Sequence, residues 1–244
     1  MNCRNNFQAI WLGIWLSLSF SYFGFSQNSS FEFWPETDIW YRINPSWRLS
    51  SFIALTKYHE SDQRDLNFSL QADYAWGKPE YTVFRKLMDD IKVQQMKAFL
   101  IRGGLMEGWS LGEYAGIYTE DMLFVEIHKR QPLLIFGEIL FSQRLRTDLR
   151  WVGQDPEFSY RFRYRAMVEK EFTDGSFSLI PYVSTELFWD SRYLTISRVR
   201  AVGGATVSWG PSFAFEGNIT YQYDLHYNTQ NLYALNLILH VFFE

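Results

Sequence analysis

The sequence predicts an all-β fold: a transmembrane antiparallel up-and-down β-barrel of about 12 strands, preceded by a cleaved N-terminal signal peptide. Three observations predict it. Long segments alternate apolar and polar residues one by one, the pattern of a strand whose two faces meet different media. Aromatics make up 19% of the 244 residues, with 22 Phe, 15 Tyr and 10 Trp, against a mean hydropathy of only -0.21. Such side chains suit pleated surfaces and membrane–water interfaces. After residue 26 there is no run of about 20 apolar residues, so a membrane-crossing body has to cross as strands.

Met1 to Ser26 reads as an export signal, with Arg4 in a short polar start, an apolar stretch from Ala9 to Phe25, and the small residues Gly24 and Ser26 ahead of Gln27. Cleavage is expected between Ser26 and Gln27, leaving residues 27–36 as a short periplasmic segment and 37–244 as the barrel. The only cysteine, Cys3, leaves with the signal, which removes disulfides and thiolate metal sites from the mature chain. The full chain carries 23 Lys plus Arg against 27 Asp plus Glu, a net of -4. That mild acidity argues against nucleic acid as a partner.

Strands are expected at about 37–44, 46–59, 65–76, 81–89, 95–106, 120–130, 133–148, 157–172, 176–190, 193–209, 211–226 and 230–244. An even count puts both termini on the periplasmic side and leaves no unpaired edge in lipid. The clearest segment sets Phe158, Tyr160, Phe162, Tyr164, Ala166 and Val168 against Ser159, Arg161, Arg163, Arg165, Met167, Glu169 and Glu171. A soluble sandwich strand also alternates, but is usually shorter. The same split sets Ile139, Phe141 and Leu145 against Ser142, Arg144, Arg146 and Asp148, and Val199, Ala201 and Val207 against Arg198, Arg200 and Thr206. From Ser212 to His226 it sets Phe213, Phe215, Ile219, Tyr221 and Tyr223 against Glu216, Asn218, Thr220, Gln222 and Asp224.

Turn chemistry at Gln131-Pro132, Thr173-Asp174-Gly175 and Gly210-Pro211 marks short periplasmic turns, and Glu107–Thr119 and Arg150–Glu157 read as outer loops. The stretch Lys78–Lys97 alternates poorly. Its Phe84, Leu87, Met88 and Ile91 fit one face of a helix equally well, so a cap or plug is the alternative to a strand there. Pro181 removes a ladder hydrogen bond and predicts a bulge or edge irregularity. The last strand places Tyr233, Leu235, Leu237, Leu239, Val241 and Phe243 on one face, similar to the terminal signal that outer-membrane proteins present to the barrel-insertion machinery, here followed by Glu244.

Several runs carry a resemblance: Arg85–Asp89, Tyr118–Phe124, Arg144–Asp148, Glu157–Arg165, Gly203–Trp209 and Leu239–Phe243. From about Trp34 to the C-terminus the chain resembles the bacterial family named domain of unknown function 2490. The resemblance implies an outer-membrane barrel of unassigned role and supplies no catalytic residues.

If the strands run as read, Arg144, Arg146, Arg161, Arg163, Arg165, Arg198 and Arg200 face the lumen in its middle and outer half. Glu138, Glu169, Glu171 and Glu216 face it nearer the periplasm, and Glu186 and Asp224 also point inward. The expectation is a cationic upper zone over an anionic lower zone. Three readings of this lumen stay open. Arg and Glu pair across strands and fill it, because an unpaired buried charge is costly. Alternatively it is a narrow pore for a small anionic solute, since the guanidinium fork binds carboxylate or phosphate through two oxygens. A lipid hydrolase or acyltransferase is the third reading, with His226 and Asp224 at the outer rim as candidates, although no serine motif accompanies them. The sequence points to no enzyme, cofactor or metal site. It points to outer-membrane lipid and lipopolysaccharide as surroundings, and to a monomer in the outer membrane of a Gram-negative bacterium.

Overall fold

The computed structural model describes residues 29–58, 64–76, 98–114, 119–133, 139–174, 177–210, 212–226 and 231–243. In it the alternating segments are strands: β1 (Ser29–Arg42), β2 (Trp47–Tyr58), β3 (Arg64–Trp76), β4 (Phe99–Leu111), β5 (Thr119–Leu133), β6 (Ile139–Val152), β7 (Glu157–Glu169), β8 (Phe172–Asp174), β9 (Phe177–Asp190), β10 (Thr195–Trp209), β11 (Phe213–Asp224) and β12 (Asn231–Phe243). Consecutive wall strands pair antiparallel, and β1 closes the circle on β12. At about 3.3 Å per residue and a tilt near 40°, strands of this length make a wall roughly 30 Å tall.

The all-β barrel predicted from the alternation is the fold. Its strand arithmetic differs in one respect. Twelve strands are present among the described residues, but β8 pairs only with β9 and continues the line of β7, so eleven close the wall. An odd number forces the first and last strands to run the same way. β1 and β12 are indeed parallel, from Ser29 opposite Asn231 to Tyr41 opposite Phe243. Ser29 and Phe243 therefore lie at opposite ends, not at one end as an even count requires. The parity changes because β3 and β4 pair directly along their whole length, with residues 77–98 as their connection. The strand expected at 81–89, its helical alternative over 78–97, and the export signal lie outside the described residues.

The wall also begins earlier than expected. Ser29–Glu36, read from sequence as a segment ahead of the barrel, is the first half of β1: all of it pairs with β12, and Glu32, Phe33 and Glu36 pair with β2 as well. Its alternation was obscured because the lumen face carries Trp34 and Trp40 while the outer face carries Pro35 and Thr37. The bulge or edge irregularity expected at Pro181 is absent from its own strand, since β9 runs through it unbroken and there in register with β10; the interruption is in the strand facing it. Facing the residue without an N–H, the β7 line breaks at Lys170–Glu171 before resuming as β8, and the Lys170 amide donates to the Pro181 carbonyl at 3.2 Å.

The two faces of the wall reverse the polarity of a soluble protein. Outside, Phe162 is 48% exposed, Val183 62% and Ile219 64%; inside, Glu126 is 1% exposed and Asp148 0%. Burying charge while displaying large apolar side chains is the opposite of what water selects. The outer aromatics cluster toward the two rims. At the end bearing Phe243, called here the C-terminal end, Trp47, Tyr74, Trp76 and Phe99 form a continuous contact chain. Toward the far end Tyr160, Phe162 and Trp189 pack together, and Trp151 lies against Phe158.

One glycine sets how closely the lumen fills. A Cβ on Gly104 would come within 2.6 Å of the Phe124 ring and 2.7 Å of the Leu70 carbonyl oxygen. Only glycine lets Phe124 lie across the inner face of β4.

Candidate functional site

The lumen is the candidate site, and strand pairing builds it. Because every second residue of β3 to β10 points inward, the polar positions of neighbouring strands meet in pairs fixed by register. Asp73 lies opposite Arg102, Arg102 opposite Glu126, Glu126 opposite Arg146, and Arg146 opposite Arg163. These residues form one continuous belt across the middle of the barrel.

Glu126 is the hub of the belt. It accepts hydrogen bonds from Arg146 at 2.7 Å and Arg144 at 3.5 Å, lies 3.7 Å from Arg102, and is 2.8 Å from His128 Nε2. Asp148 accepts from Arg146 and, at 2.8 Å, from Arg161, with Arg163 3.9 Å away. Glu186 receives Arg144 at 2.5 Å and Arg163 at 2.9 Å, and lies 4.0 Å from Arg200. Asp73 takes Arg102 at 2.6 Å and Arg48 at 3.2 Å. Four carboxylates thus hold seven guanidiniums. Above this belt the Phe188 ring is collared by the guanidiniums of Arg163 at 4.6 Å, Arg200 at 5.1 Å, Arg161 at 5.5 Å and Arg198 at 5.6 Å. Aromatic faces attract such cations, and Phe188 is 2% exposed.

Acids and their partners flank the belt on both sides. Toward the far end, Arg150 donates to Glu120 and lies 3.4 Å from Asp190, which also holds Arg192 at 2.7 Å. Asp224 accepts from Arg198 at 2.5 Å and from Gln222 at 2.7 Å. On the C-terminal side, Glu216 accepts from Tyr182, from Thr206 at 3.1 Å and from Asn218 at 3.1 Å. His240 stands between Glu216, 3.3 Å from its Nε2, and Asp38, 3.0 Å from its Nδ1. The expected cationic upper zone over an anionic lower zone is therefore corrected to a cationic middle between two acid-bearing zones. The far-end acids Glu120 and Asp190 were not among the sequence candidates.

Every sequence candidate but Glu138 has a definite place. Arg144, Arg146, Arg161, Arg163, Arg200 and Glu186 are in the belt, and Arg198 and Asp224 pair beyond it. Glu216 belongs to the C-terminal-side cluster. Glu169 is buried in the lumen on that same side. Glu171 sits in the β7–β8 break, where it accepts from Ser178 and, at 3.3 Å, from Thr173. Arg165 points inward but makes no hydrogen bond or ion pair among the described residues. Glu138 lies outside the described residues.

Sequence reasoning missed Asp73, Glu120, Glu126, Asp190 and the Asp38–His240 pair. The signal for Glu126 is present: Leu123, Val125 and Ile127 face outward, so Glu126 and His128 must face inward. The rim residues Asp224 and His226 do not act together. Asp224 is engaged by Arg198 and Gln222, while the His226 ring stacks on Tyr193 at 4.4 Å. Among the described residues no three His, Cys, Asp or Glu side chains are grouped so as to hold a metal ion.

The DUF2490 family, described as proteins of unknown function, matches residues 13–233. The chain belongs to the DUF2490 family. The match takes in every wall strand through the start of β12 and stops short of Leu239–Phe243, one of the runs that carried the resemblance. No curated protein matches this DUF2490 chain.

Proposed function

We propose that this DUF2490 chain is an outer-membrane β-barrel with a closed lumen, a structural barrel that acts through its wall and rims and not as an open pore. The observation that carries the reading is the inverted polarity of the wall. An outer face of Phe162, Val183 and Ile219 is stable against hydrocarbon and not against water, and a lumen face of Arg and Glu needs water or mutual pairing. Aromatic clusters near both rims, a wall of about 30 Å and the absence of a free edge in the circle of strands support the same placement. By the turn chemistry read in the sequence at Thr173-Asp174-Gly175 and Gly210-Pro211, the C-terminal end faces the periplasm and Arg150–Glu157 the outside.

Support for a closed lumen comes from burial in the belt. Water reaching through a pore would bathe Glu126, Asp148, Glu186 and Phe188, which are instead sealed by their partners. Pairing of this kind satisfies charges that lipid and a narrow lumen would otherwise leave costly.

Two measurements test the reading. Protein refolded from urea into phospholipid vesicles should become protease-resistant and run faster unheated than boiled on a gel. The same protein in a planar bilayer should give no unitary current at moderate voltage. Failure to enter vesicles defeats the membrane placement, and steady unitary steps from wild-type protein defeat the closed lumen.

A further inference from the structure

Beside the cationic belt, the Arg165 guanidinium has no hydrogen bond or ion pair among the described residues. Arg165 projects from β7 directly opposite Arg144 on β6, and like charges set opposite each other across strands are destabilising. Of the charges around Arg165, that of Arg144 acts most strongly and repels it, while Glu186 and Glu126 attract it without bonding to it. Arg144 directs its two terminal nitrogens to Glu126 and Glu186, while its Nε is buried with no acceptor. The belt already has more guanidiniums than carboxylates, so no spare acid in it can turn to Arg165. One pleat toward the C-terminal end, the hydroxyls of Ser142 and Ser184 lie on either side of Met167.

The arrangement is a set of donors lacking an acceptor: the fork of Arg165, the Nε–H of Arg144 and two nearby hydroxyls. A cation would be repelled, and a neutral group would leave the excess charge uncompensated. A small oxyanion meets the need, because its oxygens accept from two guanidiniums at once and its charge offsets theirs. We propose that Arg165, together with the Nε of Arg144, holds a small oxyanion of the phosphate or carboxylate type inside the lumen. This rests on the closed-lumen reading, since bulk water in an open pore would solvate Arg165 and remove the need for a ligand.

The test uses purified protein refolded from urea into detergent micelles in chloride buffer, so that no phosphate is carried through. Thermal unfolding is followed by circular dichroism while potassium phosphate, or potassium acetate in a second arm, replaces potassium chloride at constant ionic strength. Phosphate should raise the midpoint saturably. A response to acetate alone would assign the site to carboxylates. Arg165→Met should abolish the dependence and leave the phosphate-free midpoint at or above that of wild type, because it removes an uncompensated charge. Arg165→Lys keeps the charge without the fork and should raise the half-saturating concentration about tenfold or more. A wild-type midpoint indifferent to both anions, or an Arg165→Met protein that responds like wild type, overturns the proposal. Because conductance is read separately, an open lumen and an empty site give different results.

Discussion

The Arg163 guanidinium lies 4.6 Å from the centre of the Phe188 ring, with Arg163 and Phe188 directly opposite each other on β7 and β9. The ring is the large apolar group at the centre of the arginine collar and is buried inside the lumen. Phe188→Ala removes that occupant and leaves four guanidiniums around the gap. The variant is expected to show unitary current in a planar bilayer, with anions carrying more of it than cations, where wild type shows none. Reversal potentials in a salt gradient measure the preference.

His240 and Asp38 form the inner clasp of the parallel seam, directly opposite each other with Nδ1 and Oδ2 3.0 Å apart. Removing Asp38 does not leave His240 bare, because Glu216 stands 3.3 Å from its Nε2, so the cost is that of one interaction with a charged group, about 1.5–3 kcal/mol. Asp38→Ala is therefore expected to lower the urea midpoint of the folded barrel by that order. The double variant Asp38→Ala/His240→Ala should recover part of the loss, and a double-mutant cycle in urea gives the coupling.

Asp148 holds Arg146 and Arg161, and Arg163 stands near it, with its carboxylate wholly inaccessible. Asp148→Asn keeps the shape and removes the charge. It is expected to destabilise the barrel by about 3–5 kcal/mol, more than the loss of rim-exposed Arg192, which is worth about 1 kcal/mol or less. Equilibrium unfolding of the two variants side by side checks the order.

The outer face makes a prediction of the opposite kind. Val183 and Ile219 are among the most exposed apolar residues near mid-wall, where an arginine in a water-facing barrel would cost almost nothing. Against hydrocarbon it costs about 2–4 kcal/mol. Val183→Arg and Ile219→Arg should each lower stability in phospholipid vesicles by that amount. Equal stability to wild type there would place these residues in water.

Gly104→Ala tests the packing of the lumen. Its methyl group would meet the Leu70 carbonyl, which as backbone cannot step aside, so a loss of about 1–3 kcal/mol is expected. This exceeds the gain of about 0.4–1 kcal/mol that replacing glycine brings through the unfolded chain.

The wall was readable in the sequence because its alternation is a local property. Phe158 through Glu169 states its two faces without reference to any other strand, and the turns at 173–175 and 210–211 divide the chain close to where the strands end. The partners were not readable, because which acid meets which arginine depends on register. Nothing near Arg163 in sequence points to Glu186, and nothing near Arg146 points to Glu126; those contacts exist only once β5, β6, β7 and β9 are laid side by side. The direction of closure was hidden for a related reason. It depends on parity, and parity was decided by whether 78–97 supplies a wall strand.

The parallel seam bears on how the molecule is made. Each of the other wall joints links neighbours in sequence and forms as soon as a hairpin or short connection allows. β1 and β12 are about 200 residues apart, and bringing such distant segments together is slow. Until Asn231–Phe243 has been synthesised and delivered, the growing sheet has two bare edges, one of them the first strand to emerge. A bare edge of that kind is a template for pairing with another chain. The last joint formed is also a parallel one, slightly weaker per residue than its neighbours, so it is the line along which the finished cylinder would first come undone.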